Sequence, residues 1–170
     1  VNEQIQQMVD TQAISQLIAR YGKAVDWLDI DAMKDCFEGA CVVRFGEHEI
    51  PAHAFCDFWG GMGSGFKARH HLLGLPVISF TDKDRAYVEI PAIVAGTRND
   101  QGARLRDFME CNRYVGDVVR SAGGWRFASM RVFITWSQGA PTPTGMESGG
   151  PLDHNVDRSH PNFVPLRPKS

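Results

Sequence analysis

The second half of this chain is a succession of long β-type runs with no helical pattern between them, and that order excludes most architectures. Leu72–Phe80, Arg85–Thr97, Arg104–Arg120 and Trp125–Trp136 are rich in β-branched and aromatic residues. Turn signals at Asp82-Lys83-Asp84, Asn99-Asp100-Gln101-Gly102 and Ala122-Gly123-Gly124 separate them, since such residues tolerate the dihedrals that tight turns require. The helical patterns all come earlier. Ile14, Leu17, Ile18, Tyr21, Val25 and Leu28 follow the three-and-four spacing of one buried helix face. Asp10 or Thr11 is the expected cap at its start. A short second helix is expected over Asp31–Phe37, then a strand at Cys41–Phe45.

Pro51 suits the first turn of a third helix carrying Ala54, Phe55, Phe58 and Trp59. The run Gly60–Gly65 is expected to end that helix. It lacks the Lys-Ser/Thr ending of a phosphate-binding loop, so it reads as a structural loop or lid. Helices first and antiparallel strands after give an α+β layout, with helices on one face of a curved sheet. A Rossmann fold is disfavoured, because no βαβ alternation is present.

Composition narrows the function classes. The 170 residues, 43% apolar and 22% charged, suit one soluble domain with a real core. A net charge of −2 with no Lys/Arg run gives no electrostatic footprint for nucleic acid. No stretch is apolar for the length of a membrane span and no signal-peptide pattern opens the chain, so a cytoplasmic location is expected. Residues 139–170 hold six of the nine prolines. The chain therefore divides into a domain at 1–137 and a Pro/Gly-rich extension at 138–170. That extension is expected to wrap the body or a neighbour, anchored by Phe163, Val164 and Leu166, or to be partly disordered.

The residues able to carry chemistry admit plain readings beside functional ones. Asp26 ends the first helix on an apolar run, and Tyr21 lies about 140° away round the helix. The two border one pocket only if it spans the edge of the buried face, and on periodicity alone Asp26 reads as a helix-terminal surface carboxylate. His70 and His71 point to opposite faces if they lie on a strand, so one of them faces inward. An inward histidine beside a carboxylate is a proton acceptor near neutral pH; the plain alternative is a core histidine bonded to backbone. Glu110, Asn112 and Tyr114 share one strand parity, Cys111 and Arg113 the other, and either set can face a pocket. Glu89 is on the outward parity of its strand. His48 and His53 have no second ligand at a metal-binding spacing, and no metal or cofactor is implied. No nucleophile elbow surrounds Ser64. Cys36, Cys41, Cys56 and Cys111 read as buried reduced thiols.

The stretch Ile18-Ala19-Arg20-Tyr21-Gly22-Lys23-Ala24-Val25-Asp26 resembles the first-helix signature of SnoaL-like proteins, in the nuclear transport factor 2-like superfamily. His71-Leu72-Leu73-Gly74 resembles the strand-opening histidine of that family. Arg113–Arg120 and Gly123–Phe127 look like its paired C-terminal strands. The resemblance implies a cone-shaped α+β barrel with N-terminal helices packed on a strongly curved, mostly antiparallel sheet. It also implies cofactor-free lyase chemistry of the dehydratase kind on a hydrophobic small molecule, and the expected lining of Trp27, Phe58, Trp59, Phe66 and Tyr114 suits an aromatic or polycyclic one. His71 would remove a proton, Asp26 would orient it, and Tyr21 would donate to a substrate oxygen. Phe66, Tyr114, Asn112, Trp27, Val94 and His70 are the expected substrate-binding residues, with Ile90 and Ala92 also on the lining. An isomerase or cyclase uses the same pair. A non-catalytic subunit like the β subunit of aromatic-ring dioxygenases shares the fold. A homodimer or homotrimer is expected, because an open sheet leaves one face to cover.

Overall fold

A computed structural model describes residues 2–99, 105–141, 158–159 and 163. Among these residues three helices, α1 (Glu3–Asp26), α2 (Ile30–Lys34) and α3 (Ala52–Gly63), pack on a seven-stranded sheet. The strands are β1 (Phe37–Phe45), β2 (His48–Pro51), β3 (Phe66–Leu73), β4 (Val77–Asp82), β5 (Arg85–Asn99), β6 (Leu105–Ser121) and β7 (Gly124–Pro141). The hydrogen-bonded order is β2-β1-β7-β6-β5-β3, with β4 also on β5, so the sheet curves without closing. Every neighbour pair is antiparallel except β1 with β7. This is an α+β cone, with the helices packed on one face of a curved sheet. The expected barrel is an open one.

The predicted face of α1 supplies the core. Ile14, Leu17, Ile18, Tyr21 and Val25 are buried against Phe37, Val88, Val118 and Phe127 of the sheet. The helix starts earlier than expected: Asn2 caps it by accepting from the Gln4 N–H, so neither Asp10 nor Thr11 does. The first two turns carry exposed Ile5, Met8 and Val9 and show no buried stripe. Asp10 instead lies inside the helix and is buried.

Three further expectations change. Leu72–Phe80 is two strands, broken by Gly74-Leu75-Pro76, where the Gly74 N–H donates to the Pro91 carbonyl. His48–Pro51 forms a strand that its short, polar sequence does not announce. The second helix stops at Lys34 and Phe37 already opens β1, whereas the glycine run does end α3, at Gly63. Gly60 lies against Ile30, and a Cβ at Gly63 would stand 2.6 Å from a methyl of Leu28. These glycines let α3 approach the α1–α2 corner closely, which is a packing role. The turn at residues 100–102, and Val164 and Leu166, lie outside the described residues.

One glycine in the sheet carries a testable cost. Gly116 lies where the β6–β7 register shifts, and a Cβ there would overlap the backbone carbonyl of Ser129. Backbone cannot swing aside as a side-chain tip can, so Gly116→Ala is expected to destabilise by about 1–3 kcal/mol. Urea unfolding measures this, and an unchanged midpoint would contradict the close approach.

Candidate active site

The end of α1 is built to hold a carboxylate in place. Leu28 adopts φ 50°, and the Asp29 N–H reaches back to the Ala24 carbonyl, which closes the helix with a left-handed turn. A leucine in that conformation costs about 1–2 kcal/mol; its side chain is seated over Gly63. Arg69 of β3 ties the corner further, donating to the carbonyls of Asp26, Gly63 and Phe66. The backbone around Asp26 is thus fixed from two helices and a strand.

Asp26 meets His71 across 45 residues of sequence. The His71 backbone N–H donates to Asp26 Oδ2 at 3.0 Å, and His71 Nδ1 lies 2.6 Å from Asp26 Oδ1. The side chains are 15% and 5% exposed, so Asp26 is not the surface carboxylate that periodicity alone allows. A carboxylate accepting at Nδ1 fixes the proton there and leaves Nε2 as the ring's acceptor. His71 lines the adjoining cavity and Asp26 does not. His70 faces the other way: its side chain is 71% exposed, with Nδ1 3.6 Å from Asp26 Oδ2.

The cavity has a volume of about 390 Å³, within the range of small-molecule sites. Tyr21 and Tyr114 meet edge to face at 6.1 Å in its interior. Trp59 stacks on Phe66 and meets His71 edge-on, and Phe66 meets Phe108. Burial raises the Tyr114 hydroxyl to about 12, opposed by a hydrogen bond from the Asn112 side chain. Burial likewise holds Tyr21 well above its ordinary value. Both phenols are therefore neutral proton donors at physiological pH. Trp59 Nε1 and Asn112 Oδ1 are buried and without a hydrogen-bond partner among the described residues, an arrangement that is costly unless something satisfies them.

The structure brings together Asp26 and His71, and places Tyr21, Phe66, Val94, Asn112 and Tyr114 on the cavity lining. Trp27 and His70 are not on it. Trp27, one step round the helix from Asp26, packs on Phe163 with ring centroids 5.5 Å apart. Ile90 and Ala92 are buried in the core and do not reach the cavity. Phe108, Arg98 and Ile134 are lining residues that the sequence reading did not single out, and His48, weighed there only as a metal ligand, and Glu110 join them. Glu110 was on the correct parity with Asn112 and Tyr114. What the sequence lacked was the choice of face.

Elsewhere the chemistry is quieter. A larger open groove of about 950 Å³ runs past Gln6, Asp10, Asp82 and Arg120, but its buried carboxylate is already taken by Arg120, Trp125 and Gln6. Among the described residues no cluster of His, Cys, Asp or Glu is arranged to hold a metal ion. No described helix is long and apolar enough to cross a membrane. Burial raises the thiols of Cys36, Cys41 and Cys56 to about 12, which keeps them unreactive.

Residues 6–131 match a family model described as a SnoaL-like domain. A protein from Novosphingobium aromaticivorans, provisionally called a scytalone dehydratase, superposes with a TM-score of 0.72 at 18% identity, covering 85% of this chain and 99% of its own. Hexachlorocyclohexane dehydrochlorinase LinA-type3 from Novosphingobium barchaimii gives 0.73 at 12% identity, covering 88% and 100%. A nuclear transport factor 2-like superfamily protein from Salmonella enterica gives 0.65 at 21% identity, covering 84% and 99%. At these identities the likeness establishes the fold. No curated protein matches the sequence.

Proposed function

The chain belongs to the SnoaL-like domain family, and on that premise we propose that it is a cofactor-independent lyase, a dehydratase or related elimination enzyme acting on a flat apolar molecule. The observation that carries this reading is the His71–Asp26 pair, with Nδ1 committed to the carboxylate and His71 on the lining of an aromatic cavity. His71 Nε2 takes a proton from a substrate carbon, and the freed electron pair forms the new double bond. The leaving oxygen departs as water after receiving a proton from Tyr21 or Tyr114, both held protonated by burial. The imidazolium is stabilised by Asp26 and returns its proton to the tyrosine through solvent, which closes the cycle. Base, orienting group and acid are all side chains, so no cofactor enters this step.

Trp59, Phe66 and Phe108 suit an aromatic or polycyclic substrate. The unpartnered Asn112 Oδ1 suits a hydroxyl donor on that substrate. An isomerase is the second reading, favoured by the two neutral phenols side by side, which would hold an enolate oxygen equally well. A purely structural subunit has no use for a buried His–Asp pair on a cavity. The outer sheet face supports self-association as well: Leu72, Ile93, Cys111 and Trp136 are in register across β3, β5, β6 and β7, and three of them are large, exposed apolar groups. A second copy of the chain is the proposed cover.

The test is mass spectrometry of the purified protein with hydroxylated aromatic and polycyclic compounds. Loss of 18 mass units (about one water), dependent on His71, is the expected result. A product of unchanged mass would replace elimination by isomerisation, and silence across the panel would remove the enzymatic reading.

A further inference from the structure

The family match ends at residue 131, yet described residues well beyond it touch the corner that presents Asp26. Phe163 packs on Trp27, the residue after Asp26, and the Lys23 ammonium stands 5.7 Å from the centre of the same ring. Independently, Arg158 Nη1 lies 3.2 Å from Asp31 Oδ2 and 3.5 Å from Asp29 Oδ1. Asp29 is the cap of α2, accepting from the Ala32 N–H, and its own N–H closes the end of α1. One contact grips the last turn of α1 and the other grips the first residues of α2. Between them lies Leu28 in its left-handed turn, a conformation that needs support from its surroundings.

We infer that Phe163 and Arg158 are positioning residues: the C-terminal extension clamps the α1–α2 corner and so sets Asp26 against His71. The inference rests on the reading of that pair as the catalytic one. On the inner side Arg69 holds the Asp26 carbonyl, and Gly63 receives the Leu28 side chain. The carboxylate is the end of a lever whose base is the corner, and a 2.6 Å contact to Nδ1 tolerates little rotation of that base. The extension would thus belong to the working unit, although it lies outside the family's shared domain.

The experiment uses the full chain with Phe163→Ala and Arg158→Ala, and with Phe163→Tyr and Arg158→Lys as conservative partners. Nitrogen-15 NMR of the imidazoles reports the His71 tautomer and its Nδ1–H hydrogen bond without any substrate. Phe163→Ala is expected to weaken or broaden the Nδ1–H signal and to admit the other tautomer. It is also expected to lower kcat about tenfold with little change in KM, since misplacing a catalytic group acts mainly on the chemical step. Phe163→Tyr restores both. Arg158→Ala acts in the same direction and more weakly, because Arg158 is 51% exposed. A wild-type imidazole signature in Phe163→Ala overturns the inference, whether or not the melting temperature falls. If the signature changes while the wild-type protein turns over no substrate, the clamp stands and the lyase reading fails.

Discussion

Replacing His71 by alanine is expected to lower turnover by ~100- to 10,000-fold, the contribution of one positioned base, while the chain still folds. The ring is enclosed by Trp59 and by Asp26, but the backbone N–H of residue 71 keeps its bond to the carboxylate in the variant. Asp26 is therefore not stranded without a partner. Asp26→Asn is the sharper probe, because an amide can present its own N–H to Nδ1. That would move the ring proton to Nε2 and remove the acceptor from the cavity, so a loss of similar order is expected with the shape nearly unchanged. His70→Ala serves as the control. Its side chain is largely in solvent and off the cavity lining, so a change of less than about twofold is expected. Steady-state rates with circular dichroism melts decide the matter: wild-type turnover in a folded His71→Ala would end the proposed mechanism.

The fold was legible because its two periodicities are clean. Alternation over β5 and β6 and the three-and-four stripe of α1 from Ile14 to Val25 each point one way. Where the stripe is absent, the reading failed: Ile5, Met8 and Val9 are exposed, so nothing in them announces the first turns of α1. The break at Gly74-Leu75-Pro76 had a signal in Pro76, but the apolar residues on either side masked it. The site was less legible for a different reason. Asp26 and His71 meet only because α1 lies across β3, a tertiary fact that spacing cannot supply. The resemblance of short motifs supplied the pairing. Trp27 was misplaced because sequence adjacency to Asp26 suggests a shared pocket, whereas successive helix residues diverge by about 100°. Glu110 and Phe108 needed the sheet's concave side to be known first.

Asp10→Ala is expected to be strongly destabilising although it lies outside the site. The side chain of Asp10 is 6% exposed and accepts from Arg120 Nη2 at 2.6 Å and from Trp125 Nε1 at 3.1 Å, with Gln6 at 3.3 Å. Arg120 also reaches Asp84 and covers the face of Trp125. Asp10 thereby joins α1 to β6, β7 and the β4–β5 turn with one carboxylate. Removing it leaves the buried Trp125 N–H unsatisfied and Arg120 with one carboxylate in place of two, a cost of about 2–3 kcal/mol. For a chain of this length that is a fall of roughly 5–10 °C in Tm. Burial acts to raise the Asp10 carboxyl, but the hydrogen bonds from Arg120, Trp125 and Gln6, with the Arg120 charge, outweigh it and hold it below its ordinary value. A depressed folded value means the charge stabilises the protein above the unfolded-state value of about 3.9. That contribution is lost as pH falls through the lower folded value. Asp10→Asn keeps the shape and removes the charge, so its stability deficit should be full at neutral pH and shrink toward zero in acid. A deficit that stays constant from neutral pH to about pH 3 would mean that the carboxylate acts through its shape and hydrogen bonds, and that its charge contributes nothing.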